Sequence, residues 1–181
     1  MEAHTAAGKL QGMAEDALWY EAAFVVGITN AVNVVADGLG TLLTPADERG
    51  EELAALYADI REFYGAEEVP LPFRVLARDA KYAAEVWAAT RRAFTDNRLS
   101  RRLKEALAFA VSLTSRSAFG TAFHLGELLR LGVTDRGVME VVGVTQMFSS
   151  YTKIADTLQL ESDMAEIAPV DRTPPPGGRG R

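Results

Sequence analysis

Apolar residues recur along most of this chain at intervals of three and four, the spacing of one helix face, and no stretch reads convincingly as a strand. Leu53, Leu56, Tyr57, Ile60 and Phe63 form such a face and stop at Gly65. Ahead of them, Thr44-Pro45-Ala46-Asp47 offers a capping threonine, a proline at the first helical position and an acid in the first turn. Glu67-Glu68-Val69-Pro70-Leu71-Pro72 predicts a rigid connector, followed by one helix over 73–94 and a break at Thr95-Asp96-Asn97. Ser100 is placed to cap a helix carrying Leu103, Leu107, Ala110 and Leu113, and residues 114–117 read as a polar turn. A further helix is expected over 117–131, closed by Gly132. Thr134-Asp135 then opens a long helix with Val138, Val141, Val142, Thr145, Phe148 and Ile154 on its apolar side. The expectation is an all-α fold.

The most apolar stretch, residues 22–43, is interrupted by Thr29, Asn30, Asn33, Asp37 and three glycines, so a buried helix pair is expected rather than a membrane span. Periodicity fades beyond Ser162. The organisation predicted is an N-terminal extension over 1–14, one domain over 15–162 and a disordered Pro/Gly/Arg tail over 163–181. A shift of 119 residues aligns Glu21 with Glu140, Val25 with Val144 and Ala36-Asp37-Gly38-Leu39 with Ala155-Asp156-Thr157-Leu158. Two readings stay open for this echo: a duplicated helix, or two amphipathic helices of similar composition.

Composition narrows the chemistry. The 181 residues carry 19 basic and 25 acidic side chains, a net charge of −6, so no global field draws the chain to nucleic acid or anionic lipid. There is no cysteine, which removes disulfides, thiolate metal sites, iron–sulfur clusters and thiol redox cycles. With two histidines, a three-histidine zinc site cannot form within one chain. No P-loop, dinucleotide fingerprint or nucleophile elbow is present. No cofactor, metal, nucleic-acid or membrane partner is expected, and the location expected is the cytoplasm, since residues 1–13 lack the form of a signal peptide. Trp19-Tyr20 and Trp87 read as core anchors, and the pairs Arg91-Arg92 and Arg101-Arg102 as solvated faces or a local basic spot flanking one short loop.

Two segments are candidates for chemistry. Glu105 precedes eight uncharged residues, so it sits at the edge of a buried helix, where a partly desolvated carboxylate suits proton transfer. The competing reading has Glu105 pairing with Arg101 on the outer turn. Ser117, Gly120 or Thr121, and His124 share one helix face. Ser117 would lie at the helix start, where free N–H groups favour an anion, with His124 two turns along as a proton carrier. The alternative is that Ser117 is only a cap and His124 a half-buried residue bonded to a carbonyl.

These segments carry a resemblance. Pro72-Phe73-Arg74-Val75-Leu76-Ala77, Leu99-Ser100-Arg101-Arg102-Leu103-Lys104-Glu105-Ala106-Leu107-Ala108, Val111-Ser112-Leu113, His124, Leu131-Gly132-Val133-Thr134-Asp135, Glu140-Val141-Val142 and Ile154-Ala155-Asp156-Thr157-Leu158 resemble the carboxymuconolactone decarboxylase / alkylhydroperoxidase D-like family over about 70–161. Redox members of that family carry Cys-x-x-Cys-x-x-x-His, with a glutamate twelve residues before the first cysteine. His124 matches the histidine and Glu105 the glutamate, while Ser117 and Gly120 occupy the cysteine positions. The family's closing helix also resembles residues 15–43 through Asn30, Asn33, Ala36, Asp37, Leu39 and Gly40. Either this is a second copy, contributing to the core or to a subunit interface, or it is an extension of chance similarity.

The resemblance implies an alkylhydroperoxidase D-like helical domain forming a homo-oligomer, a trimer or hexamer, with Val25, Val26, Phe148 and Tyr151 as interface candidates. It implies cofactor-independent acid–base chemistry, of decarboxylase, lyase or isomerase type, on a small carbonyl or carboxylate substrate. His124 would be the general acid or base, Glu105 its partner and Ser117 a donor to substrate. The alternative is an inactive relative kept as a binding or assembly module. Peroxidase-type activity is what the family name suggests and what the missing thiols oppose.

Overall fold

Helices form where the three-and-four spacing and the capping residues coincide. The computed structural model describes residues 16–40 and 50–160, and among these it contains seven α-helices and no strand. They are α1 (Asp16–Val34), continued by a single π-helical turn (Val35–Leu39), α2 (Glu51–Tyr64), α3 (Leu71–Leu76), α4 (Ala80–Phe94), α5 (Arg101–Ser115), α6 (Ala118–Arg130) and α7 (Asp135–Leu158). The expected all-α class is therefore observed. The expected extension (1–14), the Thr44-Pro45 cap and the tail (163–181) lie outside the described residues.

Side-chain caps fix four helix starts. Asp79 accepts from the Tyr82 N–H at 3.0 Å, Ser100 from Leu103 at 3.3 Å, Ser117 from Gly120 at 2.9 Å and Thr134 from Gly137 at 3.3 Å. Each such cap contributes about 1 kcal/mol. The Asp79 cap corrects one expectation: residues 73–94 form not one helix but two, because Asp79 turns extended and starts α4 anew. Gly65, at φ 60°, closes α2, a left-handed position that glycine adopts without strain.

The main core gathers Leu53, Tyr57, Ile60 and Tyr64 of α2 with Phe73 and Leu76 of α3 and Trp87 of α4. Phe63 and Phe73 both meet Trp87 edge to face, at 5.4 and 5.3 Å between ring centroids. Full burial of each large side chain contributes about 1.5–3 kcal/mol. Trp87 is an anchor as expected, its indole N–H donating to Asp59 at 2.6 Å. Tyr20 is not; it is 73% exposed on α1.

The apolar N-terminal stretch proves to be one long helix with one buried face, rather than a buried pair. By length and composition the helix Asp16–Leu39 is apolar enough to cross a membrane. Its inward stripe, however, is largely polar: Glu21, Val25, Thr29 and Asn33, one turn apart, face α4 and α5. Glu21 pairs with Lys104, which is wholly buried and also donates to the Thr95 carbonyl at 2.5 Å. Burial raises the Glu21 carboxyl, but the Lys104 hydrogen bond and charge, with the Leu99 and Arg98 N–H groups, outweigh it and hold it below its ordinary value. α1 is thus keyed to α5 by complementary polar groups that lipid could not satisfy.

The 119-residue echo aligns positions that differ in burial at Val25 and Val144. Val25 is fully buried on α1, whereas Val144 is 59% exposed on α7. No residue of α7 is fully buried: Gly137, Val138, Val141, Val142, Thr145 and Ala155 are half-buried, and its other residues are exposed. Val25 therefore offers nothing to an interface, while Val26 and Tyr151 remain on the surface.

Candidate functional site

α5 and α6 pack side by side, and their facing turns bring Glu105 and His124 together. Glu105 is wholly buried and His124 is 5% exposed. His124 Nδ1 lies 2.7 Å from Glu105 Oε2, a charge-assisted hydrogen bond. With Nδ1–H donated to the carboxylate, a neutral imidazole carries its lone pair on Nε2. Nε2 has no hydrogen-bond partner among the described residues. The second Glu105 oxygen accepts from Arg101 Nε at 2.6 Å, so the pairing with Arg101 is present, but inside the protein and not on a solvent-facing outer turn.

Arg101 continues the chain of charges. Its guanidinium reaches Glu127 at 3.1 Å, and Glu127 takes a two-pronged grip from Arg130 at 2.9 and 2.6 Å. Aromatic rings enclose Arg101, with the Phe63 centroid 4.4 Å from its central carbon and those of Tyr64 and Phe94 at 5.3 Å. Rings around a desolvated guanidinium stabilise it through their π faces. Two carboxylates and two guanidiniums thus neutralise one another beside the imidazole. Burial pushes the Tyr64 hydroxyl well above its ordinary value; Glu105 adds to the shift and Arg101 opposes it.

The imidazole is fixed by rings as well. Phe94 stacks on it at 5.7 Å with 13° between planes, and Phe123 meets it edge-on at 5.3 Å. A narrow cavity of about 10 Å³ reaches His124, walled by Thr29, Tyr64, Thr90, Phe94, Phe119 and Phe123 among others. That is room for about one water molecule. Phe119 and Phe123, stacked at 5.5 Å, are half-buried at its edge.

Ser117 sits apart from this pair. It is 2% exposed, and its hydroxyl accepts the Gly120 N–H as the cap of α6, about two turns from His124. Gly120 is where α1 enters the site. A Cβ there would fall well within 3 Å of Asn33 Oδ1 and 2.5 Å from Ser112 Oγ. Asn33 Nδ2 donates to Ser112 Oγ at 3.0 Å, and that hydroxyl passes its own proton to the Ala108 carbonyl at 2.8 Å. The space a second side chain at 120 would need is filled by Asn33.

Sequence reasoning found Glu105 and His124 but missed Glu127, Asn33, Thr29 and the central place of Arg101. The i, i+4 step from Arg101 to Glu105 and the i, i+3 step from Glu127 to Arg130 were the available signals. The two arginine pairs form no local basic spot, and Arg101 is not on a solvated face. Arg101 turns inward, Arg91 pairs with Asp59 at 2.8 Å, and Arg102 donates to the Leu131 carbonyl at 3.0 Å.

An all-α domain with a buried Glu–His pair across two adjacent helices defines the class. Residues 80–160 match the carboxymuconolactone decarboxylase family, and the chain carries no cysteine. No curated protein and no solved structure matches the chain significantly. α1, α2 and α3, which supply Thr29, Tyr64 and Phe73 to the cavity, precede the matching segment.

Proposed function

We propose that the protein is a cofactor-independent acid–base enzyme acting on a small carbonyl or carboxylate substrate, by decarboxylation or a related lyase or isomerase step. The observation that carries this reading is the buried Glu105–His124 hydrogen bond, which leaves Nε2 without a hydrogen-bond partner among the described residues on a ring that lines a cavity. Glu105 holds the tautomer and steadies the imidazolium, Arg101 holds Glu105, and Nε2 takes or returns the proton. Phe94, Phe119 and Phe123 exclude bulk water from that step. Ser117, spent as a cap, is at most a donor at the far end of the same face. A disulfide-cycling peroxidase mechanism is ruled out, since it needs two thiols and the chain has none.

We further infer that the protein assembles with copies of itself through α7. Met139, Met147, Tyr151, Ile154 and Leu158 follow one another along a single stripe, each more than half exposed, with Val144 beside them. A contiguous exposed apolar row of this kind marks an interaction surface. The acidic, cysteine-free composition suits the cytoplasm, our inferred location.

A second reading rests on the size of the cavity: at about 10 Å³ it admits no substrate without movement of Phe119 or Phe123, as in an inactive relative kept for assembly. One experiment separates the two. Carboxymuconolactone and acetoacetate are offered to the parent, His124→Asn and Glu105→Gln, and CO₂ release and melting temperature are recorded at fixed protein concentration. A working site gives turnover that falls at least 100-fold in His124→Asn, with melting unchanged or raised in both variants. No turnover, with melting lowered by several degrees in both, overturns the enzyme reading.

A further inference from the structure

Thr29 behaves unlike Thr90, the other buried threonine among the described residues, and unlike several more exposed helical ones. Thr90, Thr145, Thr152 and Thr157 each donate their hydroxyl to the carbonyl four residues back, at 2.7–2.8 Å. Thr29, in the middle of α1 and 2% exposed, does not; its Oγ1 is buried with no hydrogen-bond partner. An idle buried hydroxyl costs about 1–3 kcal/mol, and valine fits the same helix position without that cost. Thr29 lines the cavity that His124 and Thr90 also line.

The three groups make a matched set. His124 Nε2 offers a lone pair, Thr90 Oγ1 has given its proton to Val86 and can still accept, and Thr29 Oγ1 has a proton to give. One water donating to Nε2 and to Thr90 Oγ1, and accepting from Thr29 Oγ1, satisfies all three, in a space of about 10 Å³ that admits about one. We propose that Thr29 is a positioning residue that holds a structural water on His124 Nε2, so that α1 completes the site from outside the family's matching segment. This deepens the reading of Nε2 as the working nitrogen and rests on it. The water marks where the reacting group of a substrate must arrive.

The test is read on the imidazole and needs no substrate. The chain has two histidines, so ring ¹H–¹⁵N spectra of the full-length protein resolve His124 from His4. The titratable and charged groups around the ring are Glu105 and Arg101 of α5, Glu127 of α6 and Tyr64 of α2, and none is altered by the substitutions. Thr29→Val is expected to move the Nε2 resonance, with Thr29→Ser restoring it. An unchanged Nε2 signal in Thr29→Val overturns the proposal, whatever happens to the melting temperature. Should Thr29→Val fail to fold, a long-lived water cross-peak to the His124 ring in the parent decides the matter, and its absence overturns the proposal. Loss of this effect with turnover intact refutes Thr29 alone; loss of turnover in the parent refutes the enzyme reading instead.

Discussion

Gly120→Ala is expected to destabilise the protein, although it replaces a helix glycine by the best helix former. On propensity alone the change would gain about 1 kcal/mol. Against it, the added methyl lands on Asn33 Oδ1 and 2.5 Å from Ser112 Oγ, in a place where neither can retreat. Both belong to buried residues, Asn33 fixed to Ser112 and Ser112 fixed to the Ala108 carbonyl. Overpacking of this kind costs about 1–3 kcal/mol, and driving Asn33 off Ser112 forfeits a buried hydrogen bond worth about 1–3 kcal/mol more. The net loss is about 3 kcal/mol, or roughly 6–12 °C in melting temperature for a chain of this size. Urea unfolding at fixed protein concentration measures it, and Asn33→Ala supplies the control. In the double variant the methyl finds space where the amide stood, so its loss should fall short of the sum of the two singles by at least about 1 kcal/mol. Gly120→Ala as stable as the parent, or strict additivity in the cycle, would refute the claim that α1 blocks this position.

Further outcomes follow from the same contacts. Glu21→Gln leaves Lys104 buried without its counter-charge, a loss of about 3 kcal/mol at neutral pH. Because the folded-state pKa of Glu21 lies below its ordinary 4.5, the contribution is present above that value and disappears as pH falls through the folded one. The melting temperatures of parent and variant should therefore converge below about pH 4.5, and a gap constant from pH 7 to 3.5 would contradict this. Met147→Glu combined with Ile154→Glu places two charges on the exposed stripe of α7 and should convert an oligomer to a monomer of unchanged helical circular dichroism. A parent that is itself monomeric at tens of micromolar by light scattering removes the assembly inference.

The helices were largely legible because four starts carry a capping side chain and most faces an apolar stripe; the Asp79 cap, inside a continuous apolar pattern, splits one expected helix in two. Glu105 and His124 each stood out as candidates in their helices, but their pairing was legible through the family resemblance, and the structure joins them across one helix pair. Asn33 and Thr29 were not. They reach the site from α1, 79 residues away from Ser112 in the case of Asn33, and nothing in local periodicity says which long-range neighbour a helix will choose. The burial of Arg101 was equally hidden, because its place depends on rings from α2 and α4 that close around it.

The cap formed by Ser117 bears on how such a site can change over generations. The hydroxyl at 117 accepts the Gly120 N–H, and Ser117→Cys would cost little more than a weakened cap, about 1 kcal/mol. Position 120 is closed by Asn33, and opening it takes a change on a different helix first. The way to a two-thiol site is thus uneven. One step is nearly free, the other passes through a damaged intermediate, and a lineage that has packed Asn33 against this helix is held by its own core to chemistry without sulfur.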